Sequence, residues 1–208
     1  LADNEEHRKK FKDLLLHQNF LPGGRIQASI GSPRKTTANN CFLSGEIKDS
    51  MLSIMENATN AALTMRMVGG IGYDFSGLRP KGSNIVTLNS PASGPISFMK
   101  IYDAVCATVK SAGQRRGAQL GALSCKHPDI EEFIRAKQNT DQLTNFNISI
   151  GVYDDFMKAV IEEKAYDLVF NDRVYKTVDA KALWEEIMRS TWDWAEPGVL
   201  FLDRINDY

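Results

Sequence analysis

Short apolar segments alternate with helical segments along most of this chain, and that order restricts its fold more than any other feature. Alternating or continuous apolar character predicts strands in five places. These segments are "NNCFLSG", "IGYDFSGL", "AQLGALSC", "FNISIGV" and "GVLFLDRIN". Strands that alternate with helices are typical of α/β folds built on a parallel sheet. We therefore predict the α/β class, and 208 residues are enough for one domain with its own core.

Local signals predict the helices and connections between these strands. Residues 4–18 carry the apolar stripe of a helix. Asp49 and Ser50 are predicted to cap a second helix, and Pro95 suits the first turn of a third. Further predicted elements are helices in "HPDIEEFIRAKQN", "YDDFMKAVIEEK" and "DAKALWEEIMRSTWDWA", a hairpin of "YDLVF" with "RVYKTV", and a long loop in "RPKGSNIVTLNSPASGP".

Charge and composition exclude several classes of function. The formal net charge is -1, so we expect no broad basic surface and no nucleic-acid partner. No apolar run reaches the length that crosses a membrane, and we expect no membrane partner. The 3 cysteines lie far apart without metal-ligand spacing. They predict no metal site and a reducing, cytoplasmic setting.

The cysteines, one histidine and the tryptophans each have a structural and a functional interpretation. Cys41 follows two asparagines at one end of a predicted strand, where it either presents its sulfur to a pocket or is a small buried hydrophobe. Cys106 and Cys125 fit core packing better than chemistry. His127 is predicted to precede or cap a helix rather than act as a base. Three tryptophans of one amphipathic helix are predicted to lie in the core: Trp184, Trp192 and Trp194.

Two glycine-containing segments suggest close approach to a ligand. Residues 110–122 read "KSAGQRRGAQLGA", which places Arg115 and Arg116 between glycines. Glycine lets the backbone approach a ligand closely, and the arginine fork bonds phosphates or base edges. A solvated surface turn is the equally simple alternative. The glycines at 69–72 follow a helix and precede a strand, which is the reverse of the dinucleotide-binding fingerprint.

Several segments, taken together and in order, resemble the catalytic (large) subunit of ribonucleotide reductases. They are "NNCF", "GGIGYDFSGLRPKG", "PASGPISFMKIYDA", "GQRRGAQLGAL", "HPDIEEFI", "TNFNISI" and "GVLFLDRIN". The chain most resembles the adenosylcobalamin-dependent class II members and related phage-type subunits. The resemblance implies the N-terminal half of a ten-stranded α/β barrel, with an N-terminal helix at residues 1–20 and the half-barrel at residues 21–208.

The resemblance also implies a reaction and the residues on its substrate side. The family replaces the ribose 2′-hydroxyl of a ribonucleotide with hydrogen by radical chemistry. Cys41 matches the reducing cysteine, which ends as half of a disulfide. Asn40, the backbone at Gly70, and Arg115 match positions that contact substrate.

A second implied site binds a deoxynucleoside triphosphate or ATP as an allosteric effector. Residues 79–93 match the family's first specificity loop, and the arginine segment matches the second, which relays the bound base to the substrate site. The implied effector-binding residues are Asp49, Ser50, Met51, Arg66, Arg79 and Lys110. The implied residues of the second loop are Gln114, Arg115 and Arg116.

Cofactors and partners follow from the same resemblance. It implies adenosylcobalamin as the radical source or, otherwise, a metal-containing small subunit. A thioredoxin-type reductant, the remaining C-terminal part of the subunit and a second copy in a homodimer are the implied protein partners. The family's Asn-x-Cys-x-Glu radical motif is absent from this sequence, so we expect an N-terminal piece that is inactive alone. A non-catalytic nucleotide-binding or assembly module is the alternative.

Overall fold

The computed structural model describes residues 2–33, 36–109, 117–138 and 141–207. Two compact units make up the chain, residues 1–40 and residues 41–208. The described part of the first unit contains helices α1 (Glu5–Leu16) and α2 (Gly24–Ser29). Asn4 caps α1, because its side-chain oxygen accepts a hydrogen bond from the backbone N–H of His7 at 2.9 Å. The predicted N-terminal helix is confirmed, and the prediction of one domain over residues 1–208 stays a prediction.

The second unit carries the strands and the remaining helices of the described chain. Its strands are β1 (Cys41–Leu43), β2 (Gly70–Asp74), β3 (Asn84–Ile85), β4 (Ser90–Pro91), β5 (Gln119–Ser124), β6 (Phe146–Val152), β7 (Ala165–Phe170), β8 (Arg173–Asp179) and β9 (Gly198–Phe201). Its helices are α3 (Met51–Arg66), α4 (Pro95–Thr108), α5 (Ile130–Arg135), α6 (Asp154–Ile161), α7 (Ala180–Trp194) and α8 (Leu202–Asn206).

Five strands form one parallel sheet in the order β1-β2-β5-β6-β9. The spatial order is the chain order, and each crossover includes at least one helix, as parallel pairing requires. These five strands therefore all begin at one edge of the sheet and end at the opposite edge. The predicted α/β class is confirmed, and so is the predicted hairpin, since β7 and β8 pair antiparallel.

One continuous apolar core joins the sheet to the helices of this unit. Tyr102 of α4 packs edge-on against the rings of Tyr73 and Phe75, with centroids 5.0 and 5.4 Å away. The Tyr102 hydroxyl donates to the carbonyl of Ile54 at 2.7 Å, which ties α4 to α3. Each buried side chain of this size stabilises the fold by about 1.5–3 kcal/mol. The opposite face of the sheet exposes Leu43, Asp74 and Asn147.

The predicted helix starts are confirmed. Ser50 caps α3 by accepting from the backbone N–H of Ser53 at 3.3 Å, and Asp179 caps α7 by accepting from that of Ala182 at 2.9 Å. Pro95 opens α4, where a missing N–H costs no helical hydrogen bond.

Three expectations were wrong in part. The segment after β2 is not only loop, because β3 and β4 pair there. "GVLFLDRIN" is strand only to Phe201 and then forms α8, since short apolar runs suit either structure. Trp192 is 85% exposed and Trp194 47%, because the buried stripe of α7 runs through Leu183 and Ile187.

No described helix is both long enough and apolar enough to cross a membrane.

Candidate functional site

A cavity of about 390 Å³ lies where the start of α3 meets the β3–β4 segment and the first turn of α4. Its polar part comes from the α3 cap and from Arg79, and its apolar part comes mainly from the β3–β4 segment and α4. The residues that line it are Asp49, Ser50, Met51, Ile54, Arg79, Ile85, Thr87, Leu88, Ala92, Ser93 and Phe98. A pocket of this size with few polar groups among apolar walls is typical of small-molecule sites.

The charged groups of this cavity form a defined pair. The Nε of Arg79 donates to Oδ2 of Asp49 at 2.7 Å, and the Arg79 backbone N–H donates to Oδ1 at 3.2 Å. Both side chains are about one-third exposed, at 33% and 29%. The Asp49 carboxylate bonds the Nε of Arg79, and the two terminal nitrogens of the guanidinium make no hydrogen bond to Asp49. Arg79 can therefore bind an anion while Asp49 holds it in place.

The N-terminus of α3 adds favourable electrostatics at the same place. Backbone N–H groups of the first helical turn have no partners within the helix and carry a partial positive charge. Ser50 occupies one of them, and Met51 begins the helix with its side chain exposed. Ribose hydroxyls and phosphate oxygens are suitable ligands for such a helix end.

Cys41 lies at the opposite edge of the sheet from this cavity. It is the first residue of β1 and is exposed, and its partner across the parallel pair is Gly70, the first residue of β2. Asn40 directly precedes it, is exposed, and is the last residue of the first unit. The structure thus brings Cys41 and Gly70 together at the starting edge of the strands.

The other two cysteines are in the core, as predicted. Burial raises the pKa of the Cys106 thiol to about 11 and that of Cys125 to about 12. A thiol with so high a pKa is a poor nucleophile and a poor donor of a thiolate at neutral pH. The chemistry-bearing thiol of the described sheet is therefore Cys41.

Arg66 lies away from the cavity. It is the last residue of α3, and the helix is about 24 Å long at 1.5 Å per residue. Arg66 precedes Gly70 by four residues and therefore lies near the Cys41 edge of the sheet. Within this chain the structure does not bring Arg66 together with Asp49 and Ser50.

The arginine segment is outside the described residues, which stop at Val109 and resume at Gly117. Lys110, Gln114, Arg115 and Arg116 fall in this gap. Val109 follows the end of α4, and Gly117 leads into β5 two residues before Gln119. Gln119 pairs with Ile71, so the C-terminal flank of the segment reaches the same sheet edge as Cys41 and Gly70.

Local sequence patterns did not identify the apolar walls of the cavity. Ile85, Leu88 and Phe98 line it, yet they read as loop and helix residues without a site pattern. The family resemblance gave one signal, because Ile85 and Leu88 fall within residues 79–93, which match the first specificity loop. Among residues 2–33, 36–109, 117–138 and 141–207, no three His, Cys, Asp or Glu side chains are grouped to hold a metal ion.

Comparisons with known proteins agree on one family. The family model "Ribonucleotide reductase, barrel domain" matches residues 39–208. The vitamin B12-dependent ribonucleoside-diphosphate reductase of Thermoplasma acidophilum is 38% identical over 95% of this chain and 26% of its own length. The enzyme of the same name from Mycobacterium tuberculosis is 38% identical over 95% of this chain and 29% of its own.

A solved structure has the same fold. The class Id ribonucleotide reductase alpha subunit of Actinobacillus ureae superposes with a TM-score of 0.79 at 21% identity, over 98% of this chain and 34% of that subunit. This chain spans about a quarter of the length of the two relatives above.

Proposed function

Because this chain belongs to the ribonucleotide reductase barrel-domain family, which matches residues 39–208, we propose that it forms part of a catalytic subunit that reduces ribonucleotides to deoxyribonucleotides. The observation that carries this proposal is the placement of Cys41. Its thiol is exposed at the first residue of β1, beside the backbone of Gly70, whereas Cys106 and Cys125 are buried.

The proposed role of Cys41 is that of a hydrogen and electron donor. Removing the ribose 2′-hydroxyl as water and placing hydrogen on that carbon consumes two electrons and two protons. Two thiols supply both when they become a disulfide. Cys41 is one of them, and neither buried thiol suits the role of the second, which we assign to another part of the protein. The backbone at Gly70 and the side chains of Asn40 and Arg115 are proposed substrate contacts.

We propose that the cavity at the start of α3 binds a deoxynucleoside triphosphate or ATP as effector. The α3 N-terminus and Arg79 favour the triphosphate and ribose, and apolar Ile85, Leu88 and Phe98 favour a base. Met51 and Lys110 are further proposed contacts, whereas Arg66 is not, because it lies at the far end of α3. Gln114 and Arg116 are proposed, with Arg115, to relay the effector's identity to the substrate.

Adenosylcobalamin is the cofactor that the names of the relatives imply. When bound, it supplies the radical that starts the reduction. The chain has 3 histidines. Both ring nitrogens of His127 already have backbone partners, and His7 and His17 lie on and beside α1 in the first unit. The described sheet unit therefore presents no free imidazole to cobalt, and we assign no residue of this chain to hold the cofactor.

The remaining partners are proposals as well. A thioredoxin-type protein would restore the Cys41 thiol, and a second copy of the chain would form a homodimer. A cytoplasmic setting fits a cysteine that works as a reduced thiol.

Replacing Cys41 by serine in the intact reductase tests the catalytic proposal. Serine keeps the shape but cannot form a disulfide, so we expect ribonucleotide reduction to fall about a thousandfold or more. Cys125→Ser is the matched control and should keep activity. Assays with adenosylcobalamin, and separately with a metal-bearing small subunit, measure turnover, and calorimetry with dTTP and dATP measures effector binding.

Each outcome has a definite meaning. Effector binding should be unchanged in Cys41→Ser, because the cavity is at the other edge of the sheet. Retained turnover in Cys41→Ser would remove Cys41 from the mechanism. Nucleotide binding without reduction under any condition would favour the alternative, a non-catalytic nucleotide-binding module.

A further inference from the structure

Two side chains between β5 and α5 hold the backbone on both sides of Arg79. The Nε2 of His127 donates to the carbonyl of Leu78 at 2.8 Å. The Oδ2 of Asp129 accepts from the backbone N–H of Lys81 at 2.8 Å. These bonds bracket Arg79 and Pro80, so the residue that pairs with Asp49 is fixed before and after its own position.

The hydrogen bonds of His127 define its protonation. A carbonyl oxygen only accepts, so Nε2 carries the hydrogen. Nδ1 accepts from the backbone N–H of Asp129 at 3.0 Å and therefore carries none. The ring is 2% exposed and meets the ring of Phe170 edge-on, with centroids 5.8 Å apart. A neutral imidazole thus ties Leu78 to the same turn that presents Asp129.

Asp129 also meets the far end of the same segment. An ideal Cβ placed on Gly94 would lie 2.8 Å from Oδ2 of Asp129 and 2.9 Å from Cβ of Lys81. The φ of Gly94 is +78°, which other residues rarely adopt. Lys81, Asp129 and Gly94 therefore meet in a junction that only glycine fits.

Backbone hydrogen bonds close the segment just above this junction. The N–H of Gly82 donates to the carbonyl of Ala92 at 2.9 Å, and the N–H of Ala92 donates to the carbonyl of Ser83 at 2.8 Å. The residues between them carry the apolar wall of the cavity. Residues 79–94 are thus held together where the segment begins and ends, and its middle residues reach the cavity.

We propose that His127 and Asp129 are positioning residues for the effector cavity. Neither belongs to the cavity lining, and both act through the backbone of residues 78–81, which sets where Arg79 meets Asp49. This inference rests on the proposed effector function of the cavity. Loss of the Asp129 acceptor leaves the Lys81 N–H without its partner and frees the base of the segment.

Substitutions at Asp129 and its neighbour Glu132 test this role in the intact protein. Asp129→Ala removes the acceptor, and Asp129→Asn restores one, because an amide oxygen accepts the same N–H. Glu132→Ala is the matched control, since the Glu132 carboxylate accepts from the exposed ammonium of Lys81, at 3.0 and 3.2 Å, and not from the Lys81 backbone N–H. Asp129→Ser is a second variant that loses the acceptor. Its side chain is too short to reach the Lys81 backbone N–H, but serine is favoured at the start of a helix such as α5.

Two measurements report on each variant. Hydrogen exchange of the backbone amides in residues 79–94 should speed up about tenfold or more in Asp129→Ala and Asp129→Ser. The Kd for dTTP or dATP, measured by calorimetry, should rise about tenfold in the same variants. Asp129→Asn and Glu132→Ala should stay within about threefold of the unchanged protein in both measurements.

The outcomes separate this inference from the function on which it rests. Unchanged exchange in both loss variants would overturn the positioning role. Faster exchange with unchanged Kd would overturn it too, since the segment would then be free without effect on the cavity. If the protein without substitutions binds neither nucleotide, the effector proposal is wrong. Hydrogen exchange of residues 79–94 then still decides whether Asp129 holds this segment in place.

Discussion

At the scale of single residues, burial separates three thiols of identical chemistry. Cys106 is surrounded by the core, and Cys125 is buried directly after β5. Burial raises the pKa of the Cys106 thiol to about 11 and that of Cys125 to about 12. Cys41 is exposed at the start of β1. Reactivity follows access and thiolate fraction, so one position in this chain is suited to redox chemistry.

Alkylation tests this difference directly. We expect iodoacetamide at pH 8 to label Cys41 of the folded chain at least about a hundredfold faster than Cys106 and Cys125. Mass spectrometry of peptides after timed quenching measures the three rates. Cys41→Ser should abolish the fast phase, and labelling of all three should become similar in denaturant. Fast labelling of Cys106 in the folded chain would contradict the structure.

One contribution to the pH dependence of stability comes from a single residue, His127. Burial lowers the pKa of His127 below its ordinary value of about 6.5, while Asp129 and Asp74 oppose this shift. The unfolded chain therefore binds a proton before the folded chain does, so stability is complete above pH 6.5 and falls as the pH drops toward the folded pKa.

Thermal melting between pH 7.5 and pH 5.5 measures this loss. We expect the melting temperature of the unchanged chain to fall across this range. His127→Asn does not titrate there and should show a flatter profile, although its stability at pH 7.5 is lower. Parallel profiles for the two proteins would show that His127 is not the group responsible.

At the scale of elements, helix starts set both stability and the site. Ser50 and Asp179 each cap a helix with one side-chain oxygen, and a cap of this kind contributes about 1 kcal/mol. Only the α3 cap lies in the cavity. The same local chemistry therefore serves folding in α7 and, in α3, folding together with the ligand binding that we propose.

Two alanine variants separate these contributions. Ser50→Ala and Asp179→Ala should each lower the free energy of unfolding by about 1 kcal/mol in urea titrations. Ser50→Ala should also weaken dTTP binding in calorimetry, whereas Asp179→Ala should not. Equal effects of both variants on binding would show that loss of stability, and not loss of a contact, causes the change.

Close packing at the start of β5 gives a further expectation. A Cβ on Gly117 would lie 2.5 Å from Sγ of Cys106 and 3.0 Å from Sδ of Met65. Gly117→Ala should therefore cost about 1–3 kcal/mol of unfolding free energy, because the core must shift. Gly45→Ala has open space at its Cβ and should change stability by less than about 0.5 kcal/mol. Urea titrations of both variants check the difference.

At the scale of the whole molecule, the order of elements was predictable from local patterns, whereas the polar residues of the cavity were expected only from the family resemblance. "FNISIGV" is the strand Phe146–Val152, because its alternation and the turns around it agree. The pairing β1-β2-β5-β6-β9 and the β3–β4 pair depend on contacts between distant residues, which periodicity does not encode. The tryptophans of α7 show the same limit, since amphipathic spacing alone did not identify which side is buried.

The candidate site required tertiary structure for similar reasons. Asp49 and Arg79 are 30 positions apart, and their contact follows from the crossover that brings the end of β2 beside the start of α3. Their expected role came from family resemblance, not from a local pattern. His127 and Asp129 read as ordinary residues at a helix start, although both reach the segment that carries Arg79.

Strand β1 has one further consequence. It contributes three residues at the margin of the described sheet, and its Leu43 side chain is 91% exposed. Detaching so short a strand uncovers little apolar surface, so local fraying there costs far less free energy than opening β5 or β6. The sulfur of Cys41 therefore lies on the strand of the described sheet that detaches at low free-energy cost, and this mobility suits the alternation between thiol and disulfide that we propose for it.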